Sequence, residues 1–139
     1  MTDLEIAKQN LDGHTLCLCK DGKIVHSEKR GVAPMVDFIA ENVNLSGYSV
    51  ADLVVGKAVA MLFVKCGIVA VYAKTLSQSG KQFLEKHNVR CQYQTLVDKI
   101  VNREGNDICP MEKTVFNCND VEEAYQLIAT KLAAMRAQK

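Results

Sequence analysis

The run from Val50 to Lys65 carries charge only at Asp52, Lys57 and Lys65, which leaves too little polar circumference for a solvated surface helix. Such a segment belongs at the centre of a fold or packed on more than one side. Ser49 and Asp52 stand at N-cap and N3 spacing, and Tyr48 and Leu53 have the spacing of a hydrophobic staple. The pattern therefore predicts a helix from Val50 to Lys65, capped by Ser49 and ended by Gly67 in a left-handed conformation. Ile68 to Ala73 follows as a short apolar run rich in β-branched residues, which suits a buried parallel strand. This change from helix to strand makes α/β architecture the governing expectation.

The flanking segments extend it. Thr2 to Leu11 reads as a short amphipathic helix with Leu4, Ile6, Ala7 and Leu11 on its apolar side. His14 to Lys20 alternates as a strand, Asp21-Gly22 supplies the two positive-φ positions of a tight turn, and Lys23 to Ser27 returns antiparallel. Pro34 starts a helix through Val43. Ser77 caps a helix ending near His87, Val89 to Gln94 forms another strand, and Thr95 to Val101 returns to helix. The last helix runs from Val121 to Met135, with Asn119 and Glu122 as its capping box. The order predicts a three-layer αβα domain with a mixed sheet, a single domain over residues 1–139.

Composition removes several classes of function. Lys plus Arg number 17 against 16 for Asp plus Glu, a formal charge of +1, and no stretch mixes basic and aromatic residues densely, so nucleic acid is not a favoured partner. Lys65 splits the most apolar region, Ala58 to Ala73, which falls short of the roughly 20 residues of a bilayer span. Asp3, Glu5 and Lys8 interrupt any secretory pattern, and the cytoplasm is the expected location. In that compartment the six cysteines are expected as thiols, with Cys17 and Cys19 packing on one strand face. His14, His26 and His87 are too scattered to form a ligand set.

Chemistry concentrates in two places. Asn102-Arg103-Glu104-Gly105-Asn106-Asp107-Ile108-Cys109-Pro110-Met111-Glu112 puts polar and reactive groups in a glycine-containing turn before a proline that can open a helix. Arg103 fits an anion grip or an ordinary ion pair, and Cys109 near a helix start fits a reactive thiolate or a packed thiol. The second place is the predicted helix. Gly56 there permits close approach of a ligand or another backbone, Lys57 fits phosphate binding or snorkelling, and Asp52 fits a helix cap or a ligand contact.

The Gly56-Lys57-Ala58-Val59-Ala60 segment and the stretch from Asn102 to Lys113 resemble a family of small bacterial and archaeal proteins of unknown function, distantly related to cytidine deaminases. The resemblance implies a cytidine deaminase-like fold with a pocket between the two segments. Zinc deaminases combine His/Cys-x-Glu on a helix with a later Pro-Cys-x-x-Cys pair. Here the helix reads Val55-Gly56-Lys57-Ala58 and the later segment Cys109-Pro110-Met111-Glu112, so zinc is not expected. The leading expectation is a domain binding a nucleotide or other phosphorylated small molecule, with Gly56, Lys57, Asn102, Arg103 and Asp107 as binding residues. The alternatives are a zinc-independent transferase or hydrolase acting on a nucleotide derivative through Cys109, Asp52 or Glu112, and a structural homo-oligomerisation module.

Overall fold

Buried strands and buried helices share one hydrophobic signature over short distances, and the stretch predicted as one long helix contains one of each. A computed structural model of the chain describes residues 1–138. Its elements are α1 (Asp3–Gln9), β1 (Leu16–Lys20), β2 (Lys23–Ser27), α2 (Ala33–Ala40), β3 (Ser49–Val55), α3 (Lys57–Lys65), β4 (Ala70–Ser77), α4 (Gln78–Lys86), β5 (Arg90–Val97), α5 (Pro110–Thr114) and α6 (Val121–Ala137). The helix predicted to begin at Val50 is thus corrected to a strand, a break at Gly56 and a shorter helix.

The correction has a physical cause. Ser49–Val55 lies in the middle of a five-stranded sheet of order β2-β1-β3-β4-β5. It pairs antiparallel with β1, Leu16 opposite Asp52, and parallel with β4, Asp52 opposite Ala73. Helices cover both of its faces, so it reads as a continuous apolar run without the alternation that marks a half-exposed strand. The apparent cap was a coincidence of spacing: the Asp52 carboxylate accepts from the Leu53 amide next to it, at 2.8 Å, and starts no helix.

The mixed sheet is flanked by helices on both faces. On one face α1 and the turn after it pack Leu4, Ala7 and Leu11 against Cys17, Cys19, Ala51 and Tyr72. The other face carries the larger core, in which Leu16, Leu18, Val50 and Val71 meet residues of α2, α3, α4 and α6 such as Met35, Phe63, Leu84 and Ile128. The β1–β2 hairpin turns at Asp21 and Gly22, with φ of 51° and 79°, as the two positive-φ positions require.

Other boundaries move as well. The helix expected over Thr95 to Val101 is instead the end of β5, whose Thr95, Leu96 and Val97 pair with Thr75, Leu76 and Ser77 of an equally extended β4. The cap of α6 is Asp120, not Asn119: its carboxylate accepts from the Glu122 and Glu123 amides at 2.8 and 3.2 Å. All six cysteines are free thiols. Among the described residues no helix is long and apolar enough to cross a membrane.

Candidate functional site

A helix start leaves four amide protons without intrahelical partners. In α3 two of them are met by a side chain from far along the chain. Glu112, on α5, accepts from the Lys57 amide through Oε1 and from the Ala58 amide through Oε2, each at 2.8 Å. A carboxylate there also complements the positive end of the helix dipole. Gly56, the residue before α3, makes the approach possible: a Cβ on it would stand 2.4 Å from Glu112 Oε1 and 2.6 Å from Cδ. The lysine returns the contact. Lys57 Nζ donates to the carbonyls of Val115 and Phe116 at 3.1 and 3.3 Å, and to Asn119 Oδ1 at 3.5 Å. The first turn of α3 and the α5 segment are therefore clasped from both sides.

Held in this way, the α5 segment covers the carboxyl end of β3 and leaves a cavity of about 370 Å³. Its walls come from the end of β3, the start of α3, the Arg30-Gly31-Val32 turn after the hairpin, Ile100, and Cys109, Met111 and Glu112. Antiparallel pairing brings Thr15, just before β1, to the same end. Parallel α/β sheets place their ligands outside the carboxyl ends of strands, and this hollow has that position.

Asp52 lines the cavity and is 7% exposed. One oxygen, Oδ1, accepts from the Leu53 amide, while Oδ2 is buried with no partner among the described residues. Burial pushes the carboxyl up to about 8, against the opposing pull of the Leu53 and Val54 amides. Arg30 supplies the cationic group of the lining; it is exposed and makes no ion pair with Asp52.

Of the residues singled out in the sequence, Asp52, Gly56, Cys109 and Glu112 come together around this cavity. Lys57 does not line it, because its ammonium group lies on the Val115 and Phe116 carbonyls just after α5. Asn102, Arg103 and Asp107 sit in a separate turn closed by the Val101–Ile108 bridge. There Asn102 Nδ2 donates to Asn106 Oδ1 at 2.9 Å, Asp107 accepts from Lys113 and from the Ile108 amide, and Arg103 is exposed. Sequence reasoning missed Arg30 and Thr15. The one available signal was Arg30-Gly31 between the hairpin and Pro34, a plain turn.

A zinc ion does not fit the donor set. Both Glu112 oxygens are taken by amides, Cys109 stands without the second cysteine of a Pro-Cys-x-x-Cys pair, and the α3 start presents Gly56-Lys57-Ala58. Among the described residues no group of three or more His, Cys, Asp or Glu side chains is placed to hold a metal.

The model of a domain of unknown function, DUF1893 (TM1506), matches residues 6–132. The chain belongs to the DUF1893 family. A crystal structure of a DUF1893 protein from Thermotoga maritima is similar at 25% identity and a TM-score of 0.84, over 93% of this chain and 89% of that one. A diaminohydroxyphosphoribosylaminopyrimidine deaminase/5-amino-6-(5-phosphoribosylamino)uracil reductase from the same organism aligns at 15% identity and a TM-score of 0.47, over 83% of this chain and 39% of that one. No curated protein matches.

Two outcomes are expected. Gly56→Ala acts by displacing the Glu112 carboxylate, at about 1–3 kcal/mol of stability in urea denaturation. In a Glu112→Ala background the same change costs far less, so the double-mutant cycle is strongly non-additive. Asp52 gives the pH dependence. Its folded pKa of about 8 lies above the ordinary 3.8, so the folded state keeps a proton that the unfolded chain has released. Stability therefore falls as pH rises between those values, by up to about 1.4 kcal/mol per unit, and the fall ends above the upper one. Urea midpoints across that range show this slope in the wild type and its loss in Asp52→Asn.

Proposed function

We propose that residues 1–139 form a single deaminase-like domain that works without zinc and binds a nucleotide or other phosphorylated small molecule in the cavity over Asp52. The deaminase likeness rests on the two segments, around Gly56 and from Asn102 to Lys113, that resemble a family distantly related to that class; Glu112 and Lys57 bring these segments into contact. One observation carries the binding reading: a hollow of about 370 Å³ has in its wall a buried carboxyl with one oxygen unpartnered, and a guanidinium in the same lining. Small-molecule sites run from about 300 to 1,000 Å³, mostly apolar with a few fixed polar groups. Val32, Val59, Ile100 and Met111 supply the apolar surface for a flat ring, and Arg30 supplies the planar donors that suit phosphate. The free thiols fit a cytoplasmic setting.

Binding is better supported than covalent turnover. A cysteine nucleophile needs a base or an activating group, and the cavity lining brings neither histidine nor lysine to Cys109. Glu112 holds two amides and is not free to act as nucleophile or base.

Calorimetry with nucleosides and their 5′-monophosphates tests the reading. Monophosphates are expected to bind, and Arg30→Ala to weaken them by about tenfold or more, as loss of a charge-assisted contact does, while nucleosides change little. Absence of binding by every nucleotide, with no ligand retained through a native purification, overturns it.

A further inference from the structure

Asp52 is the buried ionisable group that the fold does not explain. It lies on the central strand, with Leu16 opposite on β1 and Ala73 opposite on β4, so the flanking strands offer its carboxyl no cation. The charged and titratable groups that share its cavity are Arg30 from the turn after β2, and Cys109 and Glu112 from the α5 segment. None bonds to it: Glu112 is spent on the α3 amides, and among the described residues the ion pairs do not include Asp52 or Arg30. A carboxylate buried without a cation is far costlier than the neutral acid. The neutral acid has one proton to give, and the backbone decides from which oxygen. Oδ1 already accepts from the Leu53 amide at 2.8 Å, which leaves Oδ2 to carry the proton and to want an acceptor.

We propose that Asp52 is the specificity-determining donor of this cavity, giving its Oδ2 proton to an unprotonated acceptor, a ring nitrogen or ring carbonyl oxygen, on the heterocycle of the bound ligand. This rests on the reading of the cavity as a nucleotide-type site and says which edge of the base it selects. The aspartate Cβ–Cγ torsion is soft, so a modest turn presents the carboxyl to a ligand while the strand stays in place. A pKa lifted by burial to about 8 agrees, because the proton is then held at neutral pH. A site that spends a buried donor on its ligand discriminates strongly against analogues lacking the acceptor, since the donor is then left unsatisfied. Arg30 is left for the anionic end of the molecule.

The choice of substitution separates a donor from a charge. Asp52→Asn keeps a carbonyl for the Leu53 amide and an N–H to give, whereas Asp52→Leu keeps the bulk and gives nothing. The probes are nucleoside 5′-monophosphates and analogues in which one ring nitrogen or ring carbonyl oxygen is replaced by C–H, titrated calorimetrically into the full chain. Asp52→Leu is expected to lose about tenfold or more in affinity and Asp52→Asn to stay within about threefold, with one analogue losing as much against the wild type as Leu does. Wild-type affinity is expected to fall above about pH 8, where the proton is lost, and that of Asp52→Asn to stay level there. If Asp52→Leu does not fold, the analogue series and the pH profile decide alone. Nucleotides that bind wild type and Asp52→Leu equally, or bind more tightly above about pH 8, overturn the donor role and leave the binding reading standing. No binding by any probe overturns both.

Discussion

The contact between Glu112 and the first two amides of α3 is the constraint on which the rest of the site depends. Two hydrogen bonds across separations of 55 and 54 residues join the two halves of the cavity. At an ordinary net worth of about 1 kcal/mol each, they matter against the 5–15 kcal/mol that holds a typical domain folded. The start of a helix at the carboxyl end of a sheet is where α/β proteins commonly receive an anion. Here the chain supplies that anion itself. The α3 terminus thus becomes a fixed wall of the cavity, whose lining also takes in Asp52 and Arg30.

Gly56 is where this arrangement meets steric limits. It has Glu112 on one side, and on the other a Cβ built on Gly80, in the first turn of α4, would stand 3.0 Å from its carbonyl carbon. Three segments thus converge on one residue without a side chain. Its φ of −107° is open to any residue, so the requirement for glycine is one of space, not of backbone strain. Asp52 is the reverse case, a group that costs stability where it sits. Most buried carboxyls in folded proteins have a cation or several amides around them; this one has Oδ2 left over. A ligand that accepts from it would repair that deficit, which links the energetic defect to the proposed use.

Much of the fold was legible because the local signals were specific. Asp21-Gly22 could serve only a tight hairpin, Ser77 did cap α4, and the spacing of Val121, Ala124 and Ile128 followed one helical face. The strand at Ser49–Val55 was not legible, since burial on both faces removes the alternation that distinguishes a strand, and Ser49 with Asp52 mimicked a cap. That one boundary moved Lys57 from about two turns inside a helix to its first residue. Cys109 and Glu112 stood out by their place around Pro110, but the partner of Glu112 is a backbone, and amides carry no sequence signature. The polar loop meets much of its own hydrogen bonding. Asn102 and Asp107 are rich in hydrogen-bonding groups because they close their own turn.

Amide hydrogen exchange at Lys57 and Ala58 tests the clasp most directly. First-turn amides have no intrahelical acceptor and ordinarily exchange quickly. The account predicts slow exchange at these two positions in the wild-type protein, collapsing to rapid exchange in Glu112→Ala while the amides of β3 and β4 keep their protection. Rapid exchange of both amides in the wild type would contradict it, as would protection that survives the loss of Glu112.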